Sequence, residues 1–169
     1  MSVTAHALLV TYVIVARLVE LAVARRNTRR LLARGGVEAG RAHYPAIVVL
    51  HAGWLAVVAF LIPTHAPPAP VPLILFLIVQ GLRYWVIVSL GERWTTRIIV
   101  VPGAPLVTKG PYRWLRHPNY VVVAAEIALL PLVFGAWEIA LVFSLLNGVV
   151  LWRRIRTEER ALGLRPTEG

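Results

Sequence analysis

Four long apolar stretches alternate with segments rich in charged residues, glycine and proline along this chain. The apolar stretches cover residues 3–24, 44–62, 71–90 and 121–151. A helix of about 20 apolar residues spans the roughly 30 Å hydrocarbon core of a bilayer. The pattern therefore predicts that each of the first three stretches forms one transmembrane helix.

The fourth stretch, residues 121–151, is too long for a single crossing. About 31 residues at about 1.5 Å per residue extend roughly 46 Å, well beyond the hydrocarbon core. Pro131 and Gly135 fall near its middle, and both residue types interrupt helices. We predict two short helices, residues 120–134 and 137–152, joined in a hairpin by a tight turn at Gly135; one kinked, tilted helix is the alternative. Only the hairpin returns residues 120 and 153 to the same face of the membrane.

The distribution of basic residues supports the same topology. Arginine and lysine concentrate in segments 25–41, 93–116 and 153–165, whereas the proline-rich connection 63–72 carries no Lys, Arg or Glu. Because connections rich in Lys and Arg stay in the cytoplasm, five crossings with an external N-terminus place all three basic segments there. The N-terminus lacks the pattern of a cleaved signal peptide, so we expect a retained first helix. The sequence thus predicts an all-α integral membrane protein with about five transmembrane helices.

Composition narrows the possible functions. The chain is 58% hydrophobic with a mean hydropathy of +0.69, which gives more apolar surface than a soluble domain of this size can bury. The formal net charge of +10 is typical of nucleic-acid-binding proteins. Here the basic residues lie between apolar stretches, so we expect no nucleic-acid partner. The chain has no cysteine, which excludes disulfides, thiol nucleophiles and cysteine-bound metal; we expect no metal site.

The polar segment 106–120 lies directly before the fourth apolar stretch and contains two turn signals, Gly110-Pro111 and His117-Pro118. Non-helical backbone near a membrane must be covered by protein or face water, and a cytoplasmic cleft roofed by this segment satisfies both demands. Its aromatic and polar side chains suit a flat heterocycle such as adenine. An interfacial aromatic belt is the alternative, and it explains Trp114 and Arg116 well.

Arg154 and Glu158 stand four residues apart in the last charged segment and would share one face of a helix. Such a spacing is typical of an ordinary surface pair worth about 0.3–0.5 kcal/mol. The functional interpretation is that Glu158 accepts hydrogen bonds from a ligand's hydroxyls or ammonium, while Arg154 binds an anionic or polar oxygen of a substrate.

Three motifs in this half of the chain resemble those of the isoprenylcysteine carboxyl methyltransferase family. They are Leu-Val-Thr-Lys-Gly-Pro-Tyr at 106–112, Arg-His-Pro-Asn-Tyr at 116–120 and Arg-Ile-x-x-Glu-Glu at 154–159. The resemblance implies an integral-membrane enzyme that uses S-adenosylmethionine. The first half of the chain matches only in general character. Its loops look more like a bacterial subgroup that methylates alkylpyrones or alkylresorcinols.

The resemblance also implies roles for individual residues. It implies that Arg154 faces the methyl acceptor. Ala104 departs from the family pattern, because many relatives carry a histidine there, and we expect no side-chain contact with the cofactor at this position. No glycine-rich nucleotide fingerprint is present, and the family does not require one. The residues implied to bind the cofactor are Pro105, Leu106, Val107, Tyr112, His117, Pro118, Asn119, Tyr120 and Glu158.

Ionisable residues within the predicted membrane helices are costly in lipid and therefore indicate partners or a cavity. Arg17 and Glu20, three residues apart, are predicted to pair with each other. Arg83 and Glu126 either form an interhelical pair, or Glu126 contacts a substrate hydroxyl. His51 is a second candidate for acid–base chemistry, since its intrinsic pKa suits that role. We expect His6 and His65 to be incidental residues near the outer face.

These observations predict one membrane methyltransferase domain over residues 1–169, with a three-helix membrane part at 1–90 and a cofactor-binding catalytic part at 91–169. The acceptor is expected to be lipophilic, either an alkylpyrone or alkylresorcinol hydroxyl or a prenylcysteine-like carboxylate, and membrane lipid surrounds the protein. A carboxylate needs only orientation by Arg154, whereas a hydroxyl gives Glu126 or His51 a role as base. The use of arginine over lysine suits a bacterium of high genomic GC content, hence a bacterial inner (plasma) membrane. The alternative is a non-enzymatic membrane protein such as a transporter subunit or assembly factor.

Overall fold

The computed structural model describes residues 2–62 and 67–164, with side chains from residue 5 onward, and forms an all-α integral membrane protein. Its five α-helices are α1 (Ser2–Ala33), α2 (Tyr44–Phe60), α3 (Pro70–Leu90), α4 (Pro118–Val133) and α5 (Trp137–Ala161). Three spans are long and apolar enough to cross a membrane: Ala5–Ala33, Arg41–Phe60 and Pro70–Arg93. The helix α4 is apolar but shorter, at 16 residues.

The predicted hairpin is confirmed, and the single kinked helix is wrong. The helix α4 ends at Val133, and Gly135 adopts a left-handed φ of 73°, a conformation that glycine adopts without steric cost. The carbonyl of Pro131 accepts hydrogen bonds from the backbone N–H groups of Phe134 and Ala136, at 3.0 and 3.1 Å. The turn therefore satisfies carbonyls at the end of α4, and α5 runs back beside it.

Two helices extend further than hydropathy predicts. The helix α1 continues to Ala33 rather than ending near residue 24, and α5 continues to Ala161 rather than residue 152. Arginine is a good helix former, and no Gly or Pro follows Ala24 until Gly35. There Gly35 adopts φ 81°, and the N–H of Gly36 donates to the carbonyl of Leu31 at 2.9 Å, which closes the helix in a Schellman motif. Much of the first and last basic segments is therefore helical.

A two-stranded antiparallel sheet, absent from the sequence prediction, joins the segment after α1 to the segment after α3. Strand β1 (Val37–Ala39) pairs with β2 (Ile98–Val100), with Val37 opposite Val100 and Ala39 opposite Ile98. Glu38 accepts hydrogen bonds from Arg97 at 3.0 and 3.1 Å. Glu92, just beyond α3, pairs with Arg30 and Arg34 of α1 at 2.9 and 2.8 Å. The arginine-rich ends of the helices therefore gather at one end of the bundle.

The core lies among α1, α2, α3 and α4, where Val13, Val58, Phe76 and Leu130 are fully buried. Many other apolar side chains of the helices are exposed, as expected for surfaces that face lipid. His6 belongs to this core, because its Nε2 lies 3.0 Å from the carbonyl of Val58. The prediction for His65 lies outside the described residues.

Candidate active site

Residues 104–117, which include most of the polar segment 106–120, fold over the end of α3. Gly110 adopts φ 60° and begins a short 3₁₀ turn, Gly110–Arg113. A Cβ atom at Gly110 would lie only 2.0 Å from the hydroxyl of the buried Ser89, so only glycine allows this approach. Near the start of this segment, the carbonyl of Pro105 accepts a hydrogen bond from Arg93. The segment is thus held against the protein, as expected for non-helical backbone near a membrane.

The start of α4 and the end of α5 are joined by side-chain hydrogen bonds. Tyr120 donates from its hydroxyl to Glu158 and accepts from Nε of Arg154 at 3.0 Å. His117 lies immediately before α4, and its Nε2 is 3.1 Å from the carboxylate of Glu159. These contacts confirm that the hairpin brings the two charged motifs together. Arg154 and Glu158 do share one helix, but they are bridged by Tyr120 rather than paired with each other.

A cavity of about 320 Å³, here called the loop cavity, lies beneath this segment. The helix ends contribute Tyr120, Arg154 and Glu158 to its wall. Of the predicted cofactor residues, Pro118 does not line it, because Pro118 is fully buried in the first turn of α4. The others all line the cavity: Pro105, Leu106, Val107, Tyr112, His117, Asn119, Tyr120 and Glu158.

Tyr112 contributes a neutral hydroxyl to the loop cavity. Burial raises the pKa of the Tyr112 hydroxyl above its ordinary value, and the negative charge of Glu158 raises it further. The phenol therefore stays protonated at physiological pH and can donate a hydrogen bond.

A second cavity of about 330 Å³, here called the bundle cavity, lies between the membrane helices. Apolar side chains such as Ile14, Leu55 and Ile127 form much of its wall. Five residues line both cavities and are here called the shared wall: Trp94, Thr95, Asn119, Tyr120 and Arg154. The loop cavity, which has the larger polar share of the two, and the mostly apolar bundle cavity therefore meet at this wall.

Arg154 is held on the shared wall by uncharged groups. Its Nη2 donates to the carbonyl of Thr96 at 2.8 Å, and its Nε donates to the hydroxyl of Tyr120 at 3.0 Å. Within residues 2–62 and 67–164, no carboxylate forms a salt bridge with Arg154. The positive charge of Arg154 is therefore available to a ligand.

Four ionisable residues of the membrane helices form one connected cluster beside the bundle cavity, here called the charge network: Arg17, Glu20, Arg83 and Glu126. Arg17 pairs with Glu20 at 2.9 Å, which confirms that prediction, and Arg83 pairs with Glu126 at 2.8 Å, which is the first of the two alternatives left open for them. Arg83 also donates two hydrogen bonds to Glu20, at 2.7 and 2.6 Å. Two cations and two carboxylates balance, so the network carries no net charge.

Glu126 uses both carboxylate oxygens within this cluster. Oε1 accepts from Gln80 at 2.8 Å and from Arg17 at 3.2 Å, and Oε2 accepts from Arg83 at 2.8 Å. These oxygens already bond to three protein donors, two of them charged, so a substrate hydroxyl would have to compete with them. Glu126 is therefore the poorer of the two candidate bases.

His51 of α2 lines the bundle cavity and has one hydrogen bond. Its Nδ1 lies 2.8 Å from the carbonyl of Ile47. Because a carbonyl only accepts hydrogen bonds, Nδ1 carries the proton, and Nε2 of the neutral ring has the free lone pair. This geometry suits proton acceptance at Nε2.

Sequence reasoning missed the segment 94–96, which supplies Trp94 and Thr95 to the shared wall. Asn27 of α1 donates from its side-chain amide to the carbonyl of Trp94 at 2.8 Å, and Tyr44 of α2 lies 3.0 Å from the hydroxyl of Thr96. A tryptophan next to arginines at a helix end is typical of an interfacial belt. The same pattern therefore gives no indication that Trp94 is buried, although the residue is only 4% exposed.

Comparison with known proteins connects this arrangement to a family. The model of the isoprenylcysteine carboxyl methyltransferase family matches residues 72–163. The chain is 43% identical over 159 residues to the uncharacterized protein YpbQ of Bacillus subtilis, covering 92% of this chain and 95% of that protein. It is also 24% identical over 153 residues to an uncharacterized protein of Haemophilus influenzae, covering 86% and 88% of the two chains.

Proposed function

Because the chain belongs to the isoprenylcysteine carboxyl methyltransferase family and is therefore a membrane methyltransferase, we propose that it transfers the methyl group of S-adenosylmethionine to an oxygen of a lipophilic acceptor. The observation that carries this proposal is the shared wall. Methyl transfer requires the donor and the acceptor to be held in line with water excluded. Two neighbouring cavities that meet at Tyr120 and Arg154, one of them more polar than the other, suit that requirement.

The loop cavity suits the cofactor. Its volume of about 320 Å³ falls within the range of small-molecule sites. Glu158 would accept hydrogen bonds from the ligand's hydroxyls or ammonium, and Tyr112 would donate one. The aromatic rings and the exposed backbone of residues 105–107 fit a flat heterocycle. When bound, the sulfonium supplies an activated methyl group and leaves as a neutral thioether.

The bundle cavity suits the acceptor. Its apolar wall fits an alkyl or prenyl tail that enters from the bilayer between helices, and Arg154 lies where a polar head would meet the donor. The charge network balances in formal charge, and Arg154 is the cation that lines the bundle cavity at the shared wall. An acceptor bound as an anion would therefore be stabilised.

We favour a hydroxyl acceptor of the alkylpyrone or alkylresorcinol class over a prenylcysteine-like carboxylate. A carboxylate is already ionised and needs no base, whereas His51 provides an available Nε2 in the cavity. In the proposed step the acceptor O–H bond breaks and its proton moves to Nε2 of His51. The oxygen left behind would accept the methyl group that the bound cofactor supplies.

We further propose a bacterial plasma membrane with the loop cavity open to the cytoplasm. The basic ends of α1 and α5 gather at the end of the bundle that holds this cavity, and such ends stay in the cytoplasm. A transporter subunit or assembly factor is less well supported. The four members of the charge network pair with one another at 2.6–3.2 Å, and such pairs stabilise the bundle rather than leave charges for a passing solute.

Isothermal calorimetry in detergent tests the cofactor, with S-adenosylmethionine and S-adenosylhomocysteine as ligands. We expect saturable binding of both. A folded protein that binds neither would contradict the proposal. A radiolabelled methyl-transfer assay that compares alkylpyrones, alkylresorcinols and prenylcysteine analogues then identifies the acceptor.

A further inference from the structure

Trp94 lies on the shared wall with a hydrogen-bond donor that the protein leaves unused. The side chain is 4% exposed, and its Nε1–H has no hydrogen-bond partner in the part of the chain that the structure describes. Buried donors in proteins are almost always paired. An unpaired donor beside two cavities indicates that a bound molecule supplies the acceptor atom.

Trp54 provides an internal comparison. It is also 4% exposed, but its Nε1–H donates to the carbonyl of Ile127 at 3.2 Å. These two tryptophans are equally buried, but the protein supplies a hydrogen-bond acceptor only for the indole N–H of Trp54 among the described residues. Packing alone accounts for Trp54 and leaves the N–H of Trp94 unexplained.

The backbone around Trp94 is fixed from several sides. Its carbonyl accepts from Asn27 at 2.8 Å, and its N–H donates to the carbonyl of Gly91 at 3.1 Å. Two residues on, the carbonyl of Thr96 accepts from Arg154 at 2.8 Å. Trp94 and Arg154 are therefore held in a preorganised arrangement, as a binding site requires.

Arg154 uses two of its five N–H groups on the protein, since Nε bonds to Tyr120 and Nη2 to Thr96. The two N–H groups of Nη1 and one of Nη2 have no partner among the described residues and lie on one side of the acceptor head. Alkylpyrones, alkylresorcinols and carboxylates all carry at least two oxygens on one conjugated system. One oxygen reacts, and the other can accept a hydrogen bond from a second group on the same wall.

We propose that Trp94 is an acceptor-binding residue whose Nε1–H donates to the non-reacting oxygen of the methyl acceptor, while Arg154 binds near the reacting oxygen. This inference rests on the proposed function. It assigns the selection of acceptors with two oxygens to Trp94. An acceptor with a single oxygen gains nothing from this donor.

The experiment uses full-length protein in detergent with Trp94→Phe, which removes the donor and keeps an aromatic ring. Methyl transfer is measured with an alkylresorcinol and with the alkylphenol of the same chain length that lacks one hydroxyl. Affinity for S-adenosylhomocysteine is measured by calorimetry, which also reports that the variant is folded. Trp137→Phe, at the exposed start of α5, is the matched control.

We expect Trp94→Phe to raise KM for the alkylresorcinol about 3- to 10-fold, the value of one neutral hydrogen bond. KM for the alkylphenol and affinity for S-adenosylhomocysteine should stay within twofold of wild type. An equal rise in KM for both acceptors would show that Trp94 only packs against its neighbours. Weaker binding of S-adenosylhomocysteine would show that its Nε1–H donates to the cofactor instead. Either result, or no change at all, overturns the inference while the proposed function stands. If the wild type methylates neither acceptor nor an alkylpyrone, the proposed hydroxyl acceptors fail and the role of Trp94 fails with them.

Discussion

In the charge network Arg83 binds the carboxylates of Glu20 and Glu126 at 2.6–2.8 Å, whereas at the shared wall Arg154 binds only a hydroxyl and a carbonyl oxygen. The same contrast holds for the carboxylates. Glu126 is bonded to three donors, while Glu158 accepts from Tyr120 and lines the loop cavity. Arginines and glutamates that satisfy one another stabilise the bundle, and those left without an opposite charge are available to ligands.

The largest expected effect is on stability, from Glu126→Ala. Removing this carboxylate leaves Arg17 and Arg83 to share the single carboxylate of Glu20 in a buried site, and breaking a buried pair typically costs about 3–5 kcal/mol. We expect a marked fall in the thermal unfolding midpoint in detergent. The control is Glu138→Ala, because Glu138 is exposed at the start of α5. A Glu126→Ala protein as stable as the control would show that the network does not hold the helices together.

The second largest effect is expected on the turnover number kcat, from the substitution His51→Gln. If Nε2 accepts the acceptor's proton, kcat for a hydroxyl acceptor should fall about 100-fold, the usual contribution of a general base. Transfer to a prenylcysteine carboxylate, which has no proton to lose, should change less than threefold. His43→Gln, at an exposed turn before α2, is the matched control. Equal losses for both acceptor types would assign His51 to packing instead.

A smaller but more selective effect is expected from Arg154→Ala. The change removes the one cation of the shared wall and should lower kcat/KM about 10- to 100-fold, as for a hydrogen bond to a charged group. S-adenosylhomocysteine affinity should stay within about threefold, since Arg154 is assigned to the acceptor. Arg153→Ala, its exposed neighbour on α5, is the control. A loss of cofactor affinity with normal turnover at saturation would reverse this assignment.

Much of the bundle could be predicted because its signals are strong. Pro131 and Gly135 interrupt an apolar stretch that is too long for one crossing, and the hairpin then brings Tyr120 within 3.0 Å of Arg154. The ends of α1 and α5 could not be predicted from hydropathy, because arginine continues a helix well after it leaves the membrane. Strands of three residues carry too little alternation to be recognised.

The shared wall shows a second limit of sequence reasoning. Trp94 and Thr95 lie outside the three recognisable motifs, the first of which begins at residue 106. Their position depends on hydrogen bonds from α1 and α5 to segment 94–96. Hydrophobic periodicity reports which face of a helix is buried, but not which polar atoms two distant segments bring together. The links from Arg17 to Glu126 and from Arg83 to Glu20, which join two separate pairs into one network, likewise emerge only from the fold.

The most direct test of the central claim is calorimetry of S-adenosylhomocysteine binding to Glu158→Gln, with the unfolding midpoint measured on the same sample. The substitution keeps the shape of the side chain and removes the charge that we assign to the cofactor. We predict that Kd rises about 10-fold or more, while the midpoint stays close to that of wild type. Unchanged affinity, or a fall in stability as large as that of Glu126→Ala, would contradict the division between a network that serves the fold and a wall that serves the ligands.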